Sequence, residues 1–324
     1  MNLRAGVDLG GTKIQAVVVD PDHTVIGQAR HPTPTEGGPE AVAAAMAGAM
    51  TEAAHQAGVE TDALAGVGVG SPGDVDPKAG TVTSARNLTG WEGEFALGAS
   101  LQEALGTRAH LGNDVQVATD AEFELGAGRP YRSLLGVFWG TGVGGGIVLD
   151  GRPWTGRGVA GEIGHVVVRI GGERCGCGRL GCMEAYAGRA SMERRARHAH
   201  KKGAKTDLFK IMEERGRTRL MSGIWDRALK RKDPLATRLV DEAIEALGAG
   251  VASVQNVLDV EAVVVGGGLG VRLGEPYAQR LSEAMHPHLF DDLHPPAMHV
   301  AALGDLGGAI GAALLARAAP VRAV

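Results

Sequence analysis

The chain has 324 residues, of which 44% are apolar and 22% charged, close to globular averages, so intrinsic disorder and fibrous architectures are excluded. A net charge of −4 argues against binding nucleic acid or an anionic membrane surface as the main task. No apolar run approaches the ~18 residues of a membrane span, and residues 1–5 lead into a strand pattern without an export signal, so a cytoplasmic location is expected.

Glycine is the compositional outlier. The 51 glycines are about one residue in six, against a usual figure of about one in fourteen, and they cluster in short runs without a collagen period. Binding loops built from backbone are the first expectation.

The predicted elements begin with a strand over residues 3–9, a Gly10-Gly11-Thr12 turn and a return strand over Lys13–Val19. A turn at Asp20-Pro21-Asp22 then leads to a third strand over 24–29. A helix over about 41–57 follows, with Pro39 in its first turn and Gly58 placed to end it. Residues 64–69 read as an apolar strand running into the loop Gly70-Ser71-Pro72-Gly73. Residues 108–111 read as another, with Asn113-Asp114 at its end, before a helix over about 115–125 closed by Gly126. Polar residues thus gather where strands give way to helices, which is where open α/β sheets bind ligands.

The second half opens like the first, with a strand over Leu134–Trp139, a glycine turn from Gly140 to Gly145 and a return strand over 147–149 ending at Asp150. Aligning Gly11-Thr12 with Gly140-Thr141 brings the two strand–turn–strand units together, which predicts a duplicated domain. Helices fill about 190–256. A strand over 262–265, the turn Gly266-Gly267-Gly268, a helix from about Glu275, a strand near Val300 and a last helix over 307–318 complete the chain. This alternation of strand and helix is the α/β class.

Two stretches, Gly68/Gly70/Gly73 and Gly140/Gly142/Gly145, match G-x-G-x-x-G. The first contains Pro72 and leads into a loop, and the second leads into a strand, whereas a dinucleotide fingerprint needs a helix facing the pyrophosphate; nicotinamide and flavin cofactors are not expected. A G-x-x-x-x-G-K-[ST] loop does not occur either. What remains is a pair of glycine hairpin turns presenting backbone N–H groups to phosphate oxygens, with Thr12 and Thr141 adding hydroxyls. Each could also be a tight turn that uses glycine for φ > 0. Recurrence of the turn, with Asp8, Lys13 and the run Gly266-Gly267-Gly268, favours phosphate binding.

All three cysteines, Cys175, Cys177 and Cys182, lie within eight residues, which excludes a disulfide framework. They supply three thiolates towards a tetrahedral Zn²⁺ site, and His165, ten residues upstream, is the natural fourth ligand. Three buried free thiols, or a redox pair, are the other readings. Glu162 and Glu184 flank this loop, so a metal there would fix two carboxylates and an imidazole. A histidine bound through one ring nitrogen keeps the other for a ligand.

Taken together, Asp8-Leu9-Gly10-Gly11-Thr12-Lys13, Gly70-Ser71-Pro72-Gly73, Asn113-Asp114, the run Gly140 to Gly146, Glu162-Ile163-Gly164-His165, the Cys175 to Glu184 loop and Gly266-Gly267-Gly268 occur in an order that resembles the ROK family of sugar kinases over nearly the whole chain. The resemblance implies the duplicated, ribonuclease H-like fold of actin, Hsp70 and hexokinase. Two α/β lobes, 1–112 with the C-terminal helix 303–324 and 113–302 with the zinc loop, are expected to close around sugar and MgATP.

It further implies Asp114 as catalytic base, with Gly73, Asn87, Asn113, Asp114, Glu162, His165 and Glu184 as sugar ligands. Gly10, Gly11, Thr12, Gly140, Thr141, Gly142 and Gly144 become phosphate loops, Gly266, Gly267 and Gly268 the nucleotide loop, and His165, Cys175, Cys177 and Cys182 the ligands of structural zinc. A homodimer or homotetramer is expected. The family's repressors carry a helix-turn-helix ahead of the sugar-binding part, and with a hairpin starting at residue 3 a repressor is not expected.

Phosphorylating a sugar hydroxyl needs a proton acceptor, a role worth about 10²–10⁴ in rate. At a helix start the dipole favours an ionised Asp114, although Asp is also a preferred N-cap. Asp8 is expected on the Mg²⁺ side of the phosphates, through water. Lys13 either neutralises phosphate charge or faces solvent. The segment Asn87-Leu88-Thr89-Gly90-Trp91 resembles the Asn-Leu-x-Gly-Trp segment of the family's glucokinases and tilts the sugar towards glucose. Kinases for N-acetylmannosamine, N-acetylglucosamine, mannose or fructose, and a non-catalytic sugar-binding regulator, are the alternatives. From Arg189 to Lys232 fifteen Lys or Arg stand against five Asp or Glu. With few aromatics interleaved this reads as a solvated helical surface, not a nucleic-acid site, and a polyphosphate donor in place of ATP is its livelier use.

Overall fold

A computed structural model describes residues 2–85 and 88–316. Its first half runs β1 (Arg4–Leu9), β2 (Lys13–Val19), β3 (Val25–Pro32), α1 (Gly38–Gln56), β4 (Val67–Ser71), β5 (Asp74–Asp76), β6 (Thr81–Thr83), β7 (Glu94–Phe95), α2 (Leu97–Leu105), β8 (Ala109–Asn113) and α3 (Asp114–Leu125). The second runs β9 (Leu134–Trp139), β10 (Val143–Leu149), β11 (Arg152–Pro153), α4 (Met183–Ala187), α5 (Arg189–Lys201), α6 (Leu208–Glu214), α7 (Ser222–Lys230), α8 (Pro234–Leu258), β12 (Ala262–Gly266), α9 (Gly267–Leu273), α10 (Glu275–Met285), β13 (Ala297–Val300) and α11 (Gly307–Leu315). Among the described residues no helix is long and apolar enough to cross a membrane.

The chain divides into two compact units, Met1–Gly126 with Thr155–Ala160 and Ala302–Val324, and Ala127–Trp154 with Gly161–Ala301. Each contains one five-stranded sheet. The orders are β3-β2-β1-β4-β8 and β11-β10-β9-β12-β13, an antiparallel hairpin followed by parallel strands in both cases. The duplication expected from the hairpins is therefore a duplication of sheet topology. The strand ends place Gly10, not Gly11, at the position of Gly140. Gly10 N–H donates to Lys13 O, whereas Gly140 N–H donates to Gly142 O, so the second turn is one residue tighter.

The first unit ends after Gly126 and not at 112. Glu122 of α3 accepts the backbone N–H groups of Ala302 and Leu303, and Gly311 of α11 lets its helix meet Val117 of α3. Both helices cover one face of the first sheet. On that face β1 presents Gly6 and Asp8, β4 presents Gly68 and Gly70, and β8 presents Gly112. A Cβ on Gly6 would overlap Ala309 O, one on Gly68 would overlap Ala312 O, and one on Gly112 would lie 2.8 Å from Val117 Cγ2. The alternation Val67-Gly68-Val69-Gly70 is thus a docking surface for helix backbone. Its valines point to the opposite face and pack with Val7, Leu9, Ile14, Met46 and Met50 under α1.

Other sequence expectations move. The return strand of the second hairpin begins at Val143, not near Ile147, because Gly144, Gly145 and Gly146 pair in the ladder with Phe138, Val137 and Gly136. A Cβ on Gly145 would lie 2.7 Å from Gly161 O, so that strand glycine admits a neighbouring backbone. The run Gly266-Gly267-Gly268 is not a simple turn before a helix at Glu275. It ends β12 and starts α9, with Gly267 at φ +78° in the left-handed region and its would-be Cβ 2.6 Å from Trp139 O. The small sheet β5-β6-β7 and helix α2 carry signals too short to read from sequence.

Gly68→Ala is expected to lower stability by about 1–3 kcal/mol through overpacking against α11. Gly93→Ala, where a Cβ meets nothing within 4 Å, is expected to stay within about 0.5 kcal/mol of the parent. Urea midpoints of the two variants check this.

Candidate functional site

In the first unit, parallel pairing sets Asp8 beside Gly70, and Gly70-Ser71 beside Gly112-Asn113. The end of β1, the loop after β4 and the Asn113-Asp114 pair therefore share the carboxyl edge of three adjacent strands. This is the edge at which open α/β sheets bind ligands.

Asp8 lies against the first turn of α11, close enough that a Cβ on Gly308 would come within 2.8 Å of its Cγ. Burial raises its pKa from the ordinary carboxylate value to about 6, and the nearby Lys13 ammonium works in the opposite direction. Asp8 pairs with Gln15, so Lys13, two residues before Gln15, shares the face of Asp8. Lys13 Nζ reaches to 3.8 Å from Asp305 Oδ1. The solvent-facing alternative for Lys13 is thereby replaced by a cation next to a buried carboxylate.

Asn113, not Asp114, caps α3. Its Oδ1 accepts the N–H groups of Val115 and Gln116 at 3.1 and 3.2 Å. Asp114 is the first helical residue, and its Oδ1 also accepts Val115 N–H at 3.0 Å. Gly73 has φ +94°, and its would-be Cβ lies 2.9 Å from Thr83 O, so it shapes the loop after β4 against β6. Asn87 lies outside the described residues. Trp91 of the same segment is a core residue, edge-on to Phe95 at 5.6 Å with its indole N–H on Val82 O.

In the second unit, α4 and α5 hold the turn Gly140-Thr141-Gly142. Glu184 Oε2 accepts Val143 N–H at 2.9 Å, and a Cβ on Gly142 would overlap that oxygen. The N–H groups of Arg189 and Ala190 donate to Gly140 O and Thr141 O, and Arg189 Nη2 donates to Thr141 Oγ1 at 2.8 Å. Sequence reasoning missed Arg189. Its only signal was its place at the start of the helix after the cysteine loop.

None of Gly10, Gly11, Gly140 or Gly142 has φ in the left-handed region, so the reading of both turns as glycine required for φ > 0 falls. Close approach explains Gly142, and Gly140 points its would-be Cβ to within 3.9 Å of Gly268 N. Gly144 belongs to β10, which leaves Gly140 to Gly142 as the turn itself.

Beside this turn, His165, Cys175, Cys177 and Cys182 bring one ligand atom each to within 4.8 Å of one another. Cys177 Sγ lies 3.7 Å from Cys182 Sγ, and Cys175 Sγ lies 3.8 Å from His165 Nδ1. Zn–S bonds of about 2.3 Å give tetrahedral edges of about 3.8 Å, so the donor set and its spacing fit zinc. The cysteines form no disulfide. Burial pushes the pKa of the Cys175 thiol up, and a bound cation would favour its thiolate. His165 turns Nδ1 to the cluster and Nε2 towards Glu162 Oε2 at 3.8 Å, while Glu184 Oε1 accepts the Cys175 thiol at 3.7 Å. The cluster, Glu162, Glu184 and the glycine turn form one connected set.

The ROK family model matches residues 4–319. A glucokinase of Streptomyces coelicolor is 32% identical over 321 residues, covering 98% of each chain. Among solved structures, a ROK hexokinase from Thermus thermophilus aligns at 37% identity and a TM-score of 0.78, covering 97% of each chain. A ROK family glucokinase from Streptomyces griseus, in complex with glucose and AMPPNP, aligns at 31% identity and a TM-score of 0.82, covering 97% of this chain and 98% of that one.

Two outcomes follow. The purified protein is expected to carry one zinc per chain by elemental analysis, and Cys182→Ser to lose most of it; a metal-free, fully folded parent would contradict the Cys₃His site. Because the folded pKa of Asp8 lies above its unfolded value of about 3.9, its ionisation weakens the fold as pH rises from about 4 through 6. Without nucleotide or magnesium, Asp8→Asn is expected to exceed the parent by up to about 2–3 kcal/mol at pH 8, with the gain vanishing near pH 4. Denaturant midpoints across that range test the sign.

Proposed function

Because the chain belongs to the ROK family, we propose that it transfers the γ-phosphoryl group of MgATP to a hexose hydroxyl, with glucose as the sugar. The observation that carries this reading is the place of Asp114. It is the first residue of a 12-residue helix at the carboxyl edge of the first sheet, and Asn113 performs the capping role beside it.

Asp114 takes the proton of the attacking hydroxyl, and the positive end of the α3 dipole keeps its carboxylate ionised. MgATP supplies the phosphoryl group and part of the charge that stabilises its transfer. The N–H groups of Gly11 and Thr12, with Lys13, hold phosphate oxygens from the first unit, while Gly10 closes the turn with its N–H on Lys13 O. Those of Thr141 and Gly142 do so from the second, where Gly140 closes the turn with its N–H on Gly142 O, and Gly266 to Gly268 receive the nucleotide. Asp8 orients the magnesium through water, a role suited to a carboxylate beside a lysine at a strand end.

Sugar hydroxyls left unpaired on burial cost about 1–3 kcal/mol each, so the substrate needs side chains that donate and accept. Asn87, Asn113, Glu162, His165 and Glu184 provide these, with Gly73 shaping the loop. Asn113 offers its Nδ2 donor, since its oxygen caps α3. His165 offers Nε2, since Nδ1 faces the thiols. The four metal ligands hold zinc as a structural ion that fixes the loop carrying Glu162 and Glu184. Glucose is favoured by the Asn87 to Trp91 segment and by glucokinase relatives. N-acetylated hexosamines, mannose and fructose are the second reading, since the same side chains suit any hexose.

Asp114→Asn is expected to lower kcat by about 10²–10⁴ while glucose binding is retained. ADP release measured with MgATP against glucose, mannose, fructose, N-acetylglucosamine and N-acetylmannosamine tests both parts. An unchanged kcat in the variant would remove Asp114 as base, preference for another sugar would move the substrate, and silence on all five would leave a sugar-binding regulator.

A further inference from the structure

Arg189 opens α5 beside the glycine turn of the second unit. Its backbone N–H donates to Gly140 O at 3.1 Å, and that of Ala190 donates to Thr141 O at 3.0 Å. Glycine at 188, whose would-be Cβ lies 3.3 Å from Gly142 Cα, lets the helix start come this close. The turn is therefore stapled to α5 by backbone alone. The side chain of Arg189 makes a separate contact. Nη2 donates to Thr141 Oγ1 at 2.8 Å, and Nη1 lies 3.7 Å from Met221 Sδ, just ahead of α7.

The charge on that side chain has no counter-ion. Among the described residues Arg189 forms no ion pair, and Glu193, one turn further along α5, is taken by Arg197 and Arg219. Other cations in residues 189–232 also lack an ion pair, among them Arg194, Lys202, Lys210 and Arg217, but these are exposed, whereas Arg189 is half-buried. Burial, reinforced by the neighbouring Arg219, lowers its pKa, yet a guanidinium stays protonated in proteins. Holding a charge where water is reduced costs free energy that a solvent-facing arginine does not meet.

A hydroxyl has one proton to donate and two lone pairs to accept with. Thr141 Oγ1 spends a lone pair on the guanidinium, which turns its proton away from Arg189, and among the described residues that O–H donates to no protein atom. Accepting a bond from a cation also strengthens the hydroxyl as a donor, because hydrogen bonds in a chain polarise one another. Thr141 itself is exposed, so its proton is offered to whatever lies over the turn.

We propose that Arg189 is a positioning residue for phosphoryl transfer, which polarises the Thr141 hydroxyl and directs its proton to a phosphate oxygen of the nucleotide. This role rests on the reading of the Gly140 to Gly142 turn as a phosphate loop and adds to it a side chain that the turn does not contain. Arg189 acts through one hydroxyl and not by touching the nucleotide.

The test is a double-mutant cycle read by calorimetric titration of the full chain with MgAMPPNP. It compares the parent, Arg189→Gln, Thr141→Val and their double variant, with Thr141→Ser and Arg189→Gln/Thr141→Ser as the pair that keeps a hydroxyl. Arg189→Gln is expected to weaken MgAMPPNP binding by about tenfold in the parent and in the Thr141→Ser background, the size of a charge-assisted hydrogen bond. In the Thr141→Val background, where no hydroxyl is left to orient, the same change is expected to cost less than about twofold. An arginine that only holds the fold would weaken binding equally in both backgrounds. That result, or undiminished binding in Arg189→Gln, overturns the proposal. A parent that phosphorylates glucose but gives either result loses this inference alone. A cycle of the expected form in a protein that phosphorylates no sugar upholds the inference and removes only the kinase reading, and a parent that binds no MgAMPPNP overturns both.

Discussion

The carboxylate of Glu184 is the contact on which the second unit's site depends. One oxygen accepts the N–H of Val143 at the base of the glycine turn, and the other accepts the thiol of Cys175 in the metal cluster. A half-buried carboxylate bound to backbone N–H makes a charge-assisted hydrogen bond, stronger than a neutral one and tied to one geometry. It requires glycine at 142, where a side chain would occupy the space of Oε2, and at 188, where a Cβ would lie 2.9 Å from Glu184 Cγ. The turn, the cysteine loop and the start of α5 are thereby placed by a single residue.

In the first unit the same result is reached by backbone packing. Glycines on one face of the sheet let α11 and α3 lie against the strands at distances no side chain permits, and this seats Asp8 over the first turn of α11. The carboxylate is then held where water is scarce, which is why its pKa rises to about 6. A strained ionisation at the end of a strand is a cost to the fold and a resource for binding cations. Such trade-offs between stability and function are expected at working sites.

Much of this was legible in the sequence. Hairpins stand out because strand alternation is interrupted by glycine and resumed at once, and the strand bounds 13–19 and 134–139 follow from that pattern. The cysteine cluster was legible because metal geometry restricts spacing to a few residues, and the thiols and His165 do converge. Capping was legible only as chemistry: Asn and Asp are both good caps, and neighbouring positions differ by the direction in which the helix starts. Asn113 took the role because its φ and ψ remain extended while Asp114 is already helical. Glycine misled where one residue type serves several purposes. Gly68 and Gly70 match the letters of a dinucleotide fingerprint that their context rejects, and they serve helix packing, while Gly144 and Gly145 read as turn and continue a strand.

The sequence by itself determined the α/β class, the duplication of the hairpin and the convergence of the three thiols with His165, because each is written in short-range spacing that local geometry enforces. Tertiary structure decided which partner each of those groups meets. That Arg189 holds the Thr141 hydroxyl and that Glu184 holds the Val143 N–H are relations between residues more than forty positions apart in the chain. Their separation leaves no periodic trace, since contacts of that kind are fixed by how helices settle on sheets and not by the order of residues along them.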